Sequence, residues 1–380
     1  MTDTIIPFAL SVPENDLEDL RRRLAATRWP EAETPQDWSQ GIPLAYVQEV
    51  CRYWLNDYDW RRCEAMLNGL SQYKTAIDGL DFQFLHVRSP HAEALPLVIT
   101  HGWPGSVIEF HKVIGPLTDP TAHGGEAADA FHVVAPTLPG FGWSGKPTEP
   151  GWTTTRTGGA WTQLMARLGY DRYVAQGGDW GSVVTEAIAD QDPDHCIGIH
   201  VNMVRARPDP ATMDDLTDLE KGGIAGMKHY RDWDSGYSKQ QSTRPQTVGY
   251  GLVDSPVGQA AWIIEKFWAW TDCDGHPENV LSKDEMLDNV MMYWLPAAGA
   301  SSARIYWESF GSPPIPEIHV PTGCSVFPKE IFRSSRRWAE QRMKNIIHWS
   351  ELNKGGHFAA FEQPEIFVNE LRTCFRKVRG

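Results

Sequence analysis

Apolar residues change their spacing twice along this chain. Over roughly the first ninety residues they recur at helical intervals. Leu17, Leu20 and Leu24 follow a start marked by Pro13 and rich in Asn and Asp, and Trp54, Tyr58 and Trp60 form a second, aromatic-rich stretch. Both predict helices that pack against a larger body. From Leu95 the texture becomes short apolar runs closed by glycine-rich turns. Residues 97–100, 131–135, 173–175 and 197–201 read as buried strands, and helical patterns such as 161–168 lie between them. Alternation of this kind predicts a mostly parallel sheet with helices on both faces.

From about residue 205 to residue 314 the alternation stops. A polar segment takes over, carrying Trp233, Trp262, Trp268, Trp270, Trp294 and Trp307. It reads as an inserted, mainly helical lid. Strand texture returns at 318–327 and 345–349, and a last helix is expected over 364–376, opened by Pro364. The expected organisation is an N-terminal meander (1–90), an α/β core (91–205 and 315–380) and the lid (206–314).

Composition narrows the function classes. Of 380 residues, 41% are hydrophobic and 22% charged, which fits a globular chain with a large core and excludes disorder. A net charge of −14 and a pI of about 5.4 set the chain against a phosphate backbone, so nucleic acid is excluded as a partner. The run Arg21-Arg22-Arg23 is flanked by acids and reads as a solvated helix face. Six cysteines (Cys51, Cys63, Cys196, Cys273, Cys324, Cys374) show no C-x-x-C spacing, which fits reduced thiols and gives no metal site. Seventeen tryptophans serve either core filling or an aromatic-lined pocket. Met1 to Leu10 lack a basic region followed by a long apolar run, and no window is long enough to span a bilayer. The expectation is a cytoplasmic protein without a membrane partner.

The chemistry is carried by Gln176-Gly177-Gly178-Asp179-Trp180-Gly181-Ser182, between a predicted strand and the helical pattern 183–189. This is the pattern of a nucleophile elbow, a turn so sharp that small neighbours are needed while one side chain projects above the sheet. The projecting residue here is aspartate. A carboxylate acting on an ester would give an activated anhydride, whereas displacement at strained carbon gives an ordinary alkyl ester, so oxiranes and haloalkanes are the fitting electrophiles. The helix N-terminus and the elbow amides are expected to keep Asp179 ionised.

His101-Gly102-Trp103-Pro104-Gly105 follows the strand at 97–100 and so reaches the same sheet edge. The backbone N–H groups of Trp103 and Trp180 are the candidate oxyanion donors. His101 itself reads as structural. Gly355-Gly356-His357-Phe358 comes after the strand at 345–349, and the order nucleophile, acid, histidine is that of α/β-hydrolases, making His357 the general-base candidate. Its acid is expected after the preceding strand: Glu330, with Glu340 and Glu351 as rivals.

Taken together, residues 101–106, 140–144, 177–182 and 355–361 resemble the epoxide hydrolase family that includes the microsomal enzyme and its soluble bacterial and fungal relatives. The resemblance extends over nearly the whole chain, including the Pro7-Phe8 and Trp60-Arg61 regions, which are similar to the family's N-terminal meander. It implies two lid tyrosines that hydrogen-bond the epoxide oxygen, and the matching contexts are Asp234-Ser235-Gly236-Tyr237 and Arg304-Ile305-Tyr306-Trp307; Tyr230, Tyr250 and Tyr293 are nearby decoys in other contexts. Unlike for the membrane-bound members, no N-terminal anchor is expected.

The expected reaction is rearward attack of Asp179 on an epoxide carbon while Tyr237 and Tyr306 donate to the oxygen. His357, oriented by Glu330, then activates water, and the Trp103 and Trp180 amides stabilise the charge as a vicinal diol is released. No metal or organic cofactor is expected. The partner is a small epoxide, aromatic if the tryptophans line the pocket, with a homo-oligomer left open; either natural-product biosynthesis or detoxification fits. A haloalkane dehalogenase shares the Asp nucleophile and the Trp after it, and a non-catalytic ligand-binding protein on the same scaffold is the reading from another class. The tyrosines discriminate the first, because a halide leaves without a proton. Turnover discriminates the second.

Overall fold

The computed structural model describes residues 4–312 and 315–379; Met1, where the expected meander begins, Pro314, where the expected lid ends, and Gly380 lie outside the described residues. Among the described residues, nine strands form one sheet in the order β1-β2-β3-β5-β4-β6-β7-β8-β9. They are β1 (Ile6–Phe8), β2 (Gln72–Ile77), β3 (Leu80–Val87), β4 (Leu95–Thr100), β5 (Phe131–Pro136), β6 (Tyr173–Gly177), β7 (Cys196–Val201), β8 (Thr322–Val326) and β9 (Ile346–Glu351). The strands β4 to β9 run parallel, and β1 to β3 extend the sheet in antiparallel fashion. Leu97, Val98 and Ile99 of β4 are wholly buried, as expected of a parallel strand covered on both sides.

Three helices precede β2: α1 (Glu14–Ala25), α2 (Leu44–Asn56) and α3 (Trp60–Asn68). In α1 the apolar stripe Leu17, Leu20 and Leu24 is buried, and acids in the first turn with Arg22 and Arg23 in the last suit the helix dipole. The helical texture expected across the first ninety residues ends at Asn68. Beyond it, β2 and β3 form a hairpin whose turn is Asp78-Gly79, both at positive φ (51° and 82°). Asp-Gly is the residue pair that a two-residue hairpin turn favours.

The helices α4 (His111–Thr118), α5 (Thr154–Arg167) and α6 (Asp179–Gln191) follow β4, β5 and β6. Six more lie between β7 and β8: α7 (Asp218–His229), α8 (Gly236–Thr243), α9 (Pro245–Asp254), α10 (Pro256–Trp270), α11 (Lys283–Trp294) and α12 (Gly299–Ser309). A short α13 (Arg336–Ala339) precedes β9, and α14 (Ala359–Glu362) and α15 (Pro364–Phe375) follow it. The strand expected over 318–327 is shorter than its apolar run. Ile318 makes only an isolated bridge to Met343, and β8 begins after Pro321, which has no N–H to give a ladder. No helix among the described residues is long and apolar enough to cross a membrane.

The N-terminal helices grip the α7–α12 segment. Tyr58 and Arg62 both reach the buried Asp288 of α11 (each 2.7 Å), and Tyr53 reaches Asp284 at 2.8 Å. Register then aligns the ends of three strands, since Thr100 pairs with Gly177 and Gly177 with Val201. The loops that follow β4, β6 and β7 therefore emerge side by side at one edge of the sheet, where the chain reverses its order of strands.

Candidate active site

The turn from β6 into α6 is as tight as the sequence demands. Asp179 sits at φ 48°, a left-handed conformation that few non-glycine residues adopt. A Cβ on Gly177 would lie 2.0 Å from the Gly181 carbonyl oxygen, and one on Gly181 would lie 2.0 Å from that of Thr100. Glycine at these positions lets the elbow close against β4. An exposed helical Gly→Ala change ordinarily helps by about 1 kcal/mol. Gly181→Ala should instead destabilise by roughly 3 kcal/mol through overpacking, read as a lower urea midpoint at unchanged slope; a midpoint at or above the parent's would refute this role.

Two neighbours fix the Asp179 carboxylate. The Trp103 backbone N–H donates to Oδ1 at 2.8 Å, and His357 Nε2 stands 3.4 Å from Oδ2. On the far side of the ring, His357 Nδ1 donates to Glu330 Oε1 at 2.8 Å, and both residues are buried. Burial by itself lowers the His357 pKa. The facing Glu330 charge and the contact with Asp179 outweigh it and hold the imidazole well above its ordinary value. The loop carrying His357 is pinned to α10, whose Trp270 carbonyl accepts the His357 N–H at 2.8 Å.

The other sequence candidates fall as follows. Glu340 pairs with Arg336 on the surface and Glu351 is exposed at the end of β9, so neither meets His357. The Trp180 amide, in the first turn of α6 where N–H groups have no helical partner, makes no hydrogen bond to the carboxylate. His101 is buried and neutral, its pKa lowered to about 4 by burial; Nδ1 donates to the Gly102 carbonyl and Nε2 accepts from the Leu138 N–H, tying two loops together.

Tyr237 (α8) and Tyr306 (α12) hang over this group. The Tyr237 ring stacks on Trp103 (centroids 4.8 Å, 9° between planes), and Tyr306 stands edge-on to Trp103 and to Trp180. Both are buried, and burial pushes both phenols well above their ordinary pKa, so each keeps its proton near neutrality. A cavity of about 230 Å³ opens beside Asp179, walled by Trp180, Tyr230, Tyr237, Tyr306, Phe310 and Phe332. Its aromatic wall is mostly Tyr and Phe. Of the tryptophans singled out between 205 and 314, Trp233 and Trp307 are exposed, and Trp270 alone meets the group, 5.1 Å from His357.

Two residues near the chemistry carried no signal of function in the sequence. Tyr230, one of the passed-over tyrosines, holds its hydroxyl 3.0 Å from that of Tyr237, whereas Tyr250 is exposed and Tyr293 clamps the Gly105 carbonyl at 2.6 Å. Glu109 follows the His101–Gly105 turn and lies beside Asp179 and His357. No group of three or more His, Cys, Asp or Glu side chains among the described residues is disposed to hold a metal ion.

An oriented carboxylate, a histidine–glutamate pair and protonated phenols above them form a set able to attack carbon, protonate a leaving oxygen and activate water. Residues 5–110 match the model described as epoxide hydrolase N terminus, and residues 96–232 that of the alpha/beta hydrolase fold. A protein of Stigmatella aurantiaca whose name assigns it to the epoxide hydrolases is 56% identical over 99% of this chain and 86% of its own. Epoxide hydrolase 1 of Sus scrofa is 34% identical over 97% of this chain and 88% of its own. The crystal structure of the Aspergillus niger epoxide hydrolase superposes with a TM-score of 0.89 at 31% identity, covering 99% of this chain and 97% of the other. That of the juvenile hormone epoxide hydrolase from the silkworm Bombyx mori also gives 0.89, at 29% identity, covering 100% and 95%.

Proposed function

The chain belongs to the epoxide hydrolase family, and from that premise we propose that it hydrolyses its epoxide in two covalent steps on Asp179. The carrying observation is the division of labour at one carboxylate: Oδ1 accepts from the Trp103 amide while Oδ2 is left to face His357 and the cavity. In the first step Oδ2 attacks an oxirane carbon. The C–O bond breaks toward the oxygen, which takes a proton from Tyr237 or Tyr306. Esterification removes the Asp179 charge, so His357 loses one of the two partners that raise its pKa, and the imidazolium makes good the proton the tyrosine has given up.

Now neutral, His357 accepts a proton from water as the water oxygen adds to Asp179 Cγ. Charge develops on Oδ1, held by the Trp103 amide and by that of Trp180. When the Cγ–Oδ2 bond breaks, the departing alkoxide takes the proton of the newly added hydroxyl. A vicinal diol leaves, and Asp179 is again a carboxylate opposite an imidazolium. Glu330 holds the imidazole through Nδ1 throughout.

We assign residues 1–90 to a meander, 91–205 and 315–380 to the catalytic core and 206–314 to a lid that carries both tyrosines. The N-terminal contacts with Asp284 and Asp288 support this division, since they brace the segment from which Tyr237 and Tyr306 descend. The silkworm relative is named for juvenile hormone; for this chain the Trp180, Phe310 and Phe332 wall favours an epoxide with an aromatic or bulky apolar substituent. Six free, buried cysteines suit a reducing, cytoplasmic setting.

The tyrosine roles are tested by the double variant Tyr237→Phe with Tyr306→Phe. Single-turnover ester formation from styrene oxide should fall by about 10³-fold, within the range for loss of general acid catalysis, while thermal stability stays near that of the parent. Undiminished ester formation would remove both residues from ring opening.

A further inference from the structure

A second, much smaller cavity of about 20 Å³ lies on the other side of Asp179. Glu109, His357, Gly102 and Gly105 are among the residues around it, with Thr100 and Gln176 behind. Asp179 is the one residue it shares with the tyrosine-walled cavity. Its size fits a single water molecule, and a bound water needs two to four polar partners. Those partners are at hand. Besides Glu109 and His357, Thr100 Oγ1 and Gln176 Oε1 are buried without any protein partner.

Glu109 has no place in the reaction as set out above, yet its carboxyl is packed closely against the turn that follows β4. It lies so close over Gly105 that a Cβ there would fall 1.4 Å from Oε1. The turn beneath is itself clamped by α11, through Asn289 Nδ2 to the Pro104 carbonyl at 2.8 Å and Tyr293 to that of Gly105. Burial pushes Glu109 up to about 8, with His357 opposing and Asp179 adding to the rise, so the group is a neutral acid near pH 7. A neutral acid placed there has a carbonyl oxygen to accept a hydrogen bond and no charge to repel Asp179.

We propose that this small cavity is the binding site of the attacking water and that Glu109 holds that water for His357 in the second step. The proposal rests on the ester mechanism above. One water proton points at His357 Nε2 and the other at the Glu109 carbonyl oxygen, which directs a lone pair at Asp179 Cγ. His357 takes the first proton as the O–Cγ bond forms; the second stays on the added oxygen until the Cγ–Oδ2 bond breaks and then passes to the departing alkoxide. Glu109 gains and loses no proton. The substrate and the water thus reach Asp179 from two separate cavities, which keeps the water site formed whatever substituent the epoxide carries.

Glu109→Met keeps the side-chain length and removes the hydrogen-bonding oxygens. With styrene oxide, its hydrolysis step should slow by about 10²-fold while ester formation stays within threefold of the parent. The covalent adduct then accumulates by mass spectrometry, and kcat and KM fall together with kcat/KM unchanged. Glu109→Gln, which retains a carbonyl oxygen, should keep hydrolysis within about fivefold of the parent. If the Met variant does not fold, Gly105→Ala displaces the same carboxyl and must give the same split. An unchanged hydrolysis rate, or ester formation slowed as much as hydrolysis, overturns the proposal. His357→Gln serves as the control: if that variant accumulates no ester either, it is the two-step mechanism that fails.

Discussion

Asp179→Asn should abolish diol formation, with kcat falling by roughly 10⁴-fold or more, the scale of loss when a covalent nucleophile is removed. A carboxamide oxygen carries no charge with which to displace an alkoxide from carbon. The change is close to isosteric, and asparagine is among the residues that best tolerate the φ of 48° found here. Thermal unfolding should therefore match the parent's, so that the loss is one of chemistry. A diol assay on the purified variant measures it. Residual turnover within tenfold of the parent would mean that water, and not Asp179, opens the ring.

His357→Gln separates the two steps. Asp179 retains its Trp103 donor and the tyrosines above it, so ester formation proceeds, but nothing takes the water proton. Hydrolysis of the ester should fall by about 10³- to 10⁴-fold, the upper part of the range for a general base. Mixed with a stoichiometric epoxide, the variant should gain one substrate mass on the peptide containing Asp179 and hold it for hours, where the parent returns to its own mass. A variant that turns over without an adduct would place the base elsewhere. Glu330→Gln should produce a milder version of the same arrest, since the imidazole loses its anionic partner but keeps its position.

Much of this site can be read along the chain because the elbow is a local structure. The Gly177-Gly178-Asp179 sequence states the close approach to β4 and α6, residues 97–100 of β4 and all of β6 are buried, and the strand order places the turns after Thr100 and Gly177 together. Glu330 and His357 follow from their places after β8 and β9, which pair in parallel so that the two loops meet. What the chain does not state is long-range. The β2–β3 hairpin was hidden by polar residues on its partly exposed face, although Asp78-Gly79 marked its turn. Tyr230 gains its meaning from a helical segment that turns its hydroxyl toward Tyr237 seven residues on. Glu109 lies in a short 3-10 turn, Val107–Phe110, and only packing over Gly105 shows which way it faces. The number of tryptophans says nothing of their direction: Trp233 points to solvent while Trp270 closes over His357.

The claim that Asp179 is the attacking group is tested most directly by one turnover in heavy-oxygen water with enzyme in excess over styrene oxide, followed by mass analysis of the peptide that carries Asp179 and of the diol. In the two-step reaction the water oxygen adds to Cγ, and the diol departs with the former Oδ2. The label should therefore appear in the Asp179 peptide, and the diol should carry none. Label in the diol with an unlabelled Asp179 peptide would mean direct attack of water on the epoxide, and would contradict the covalent mechanism.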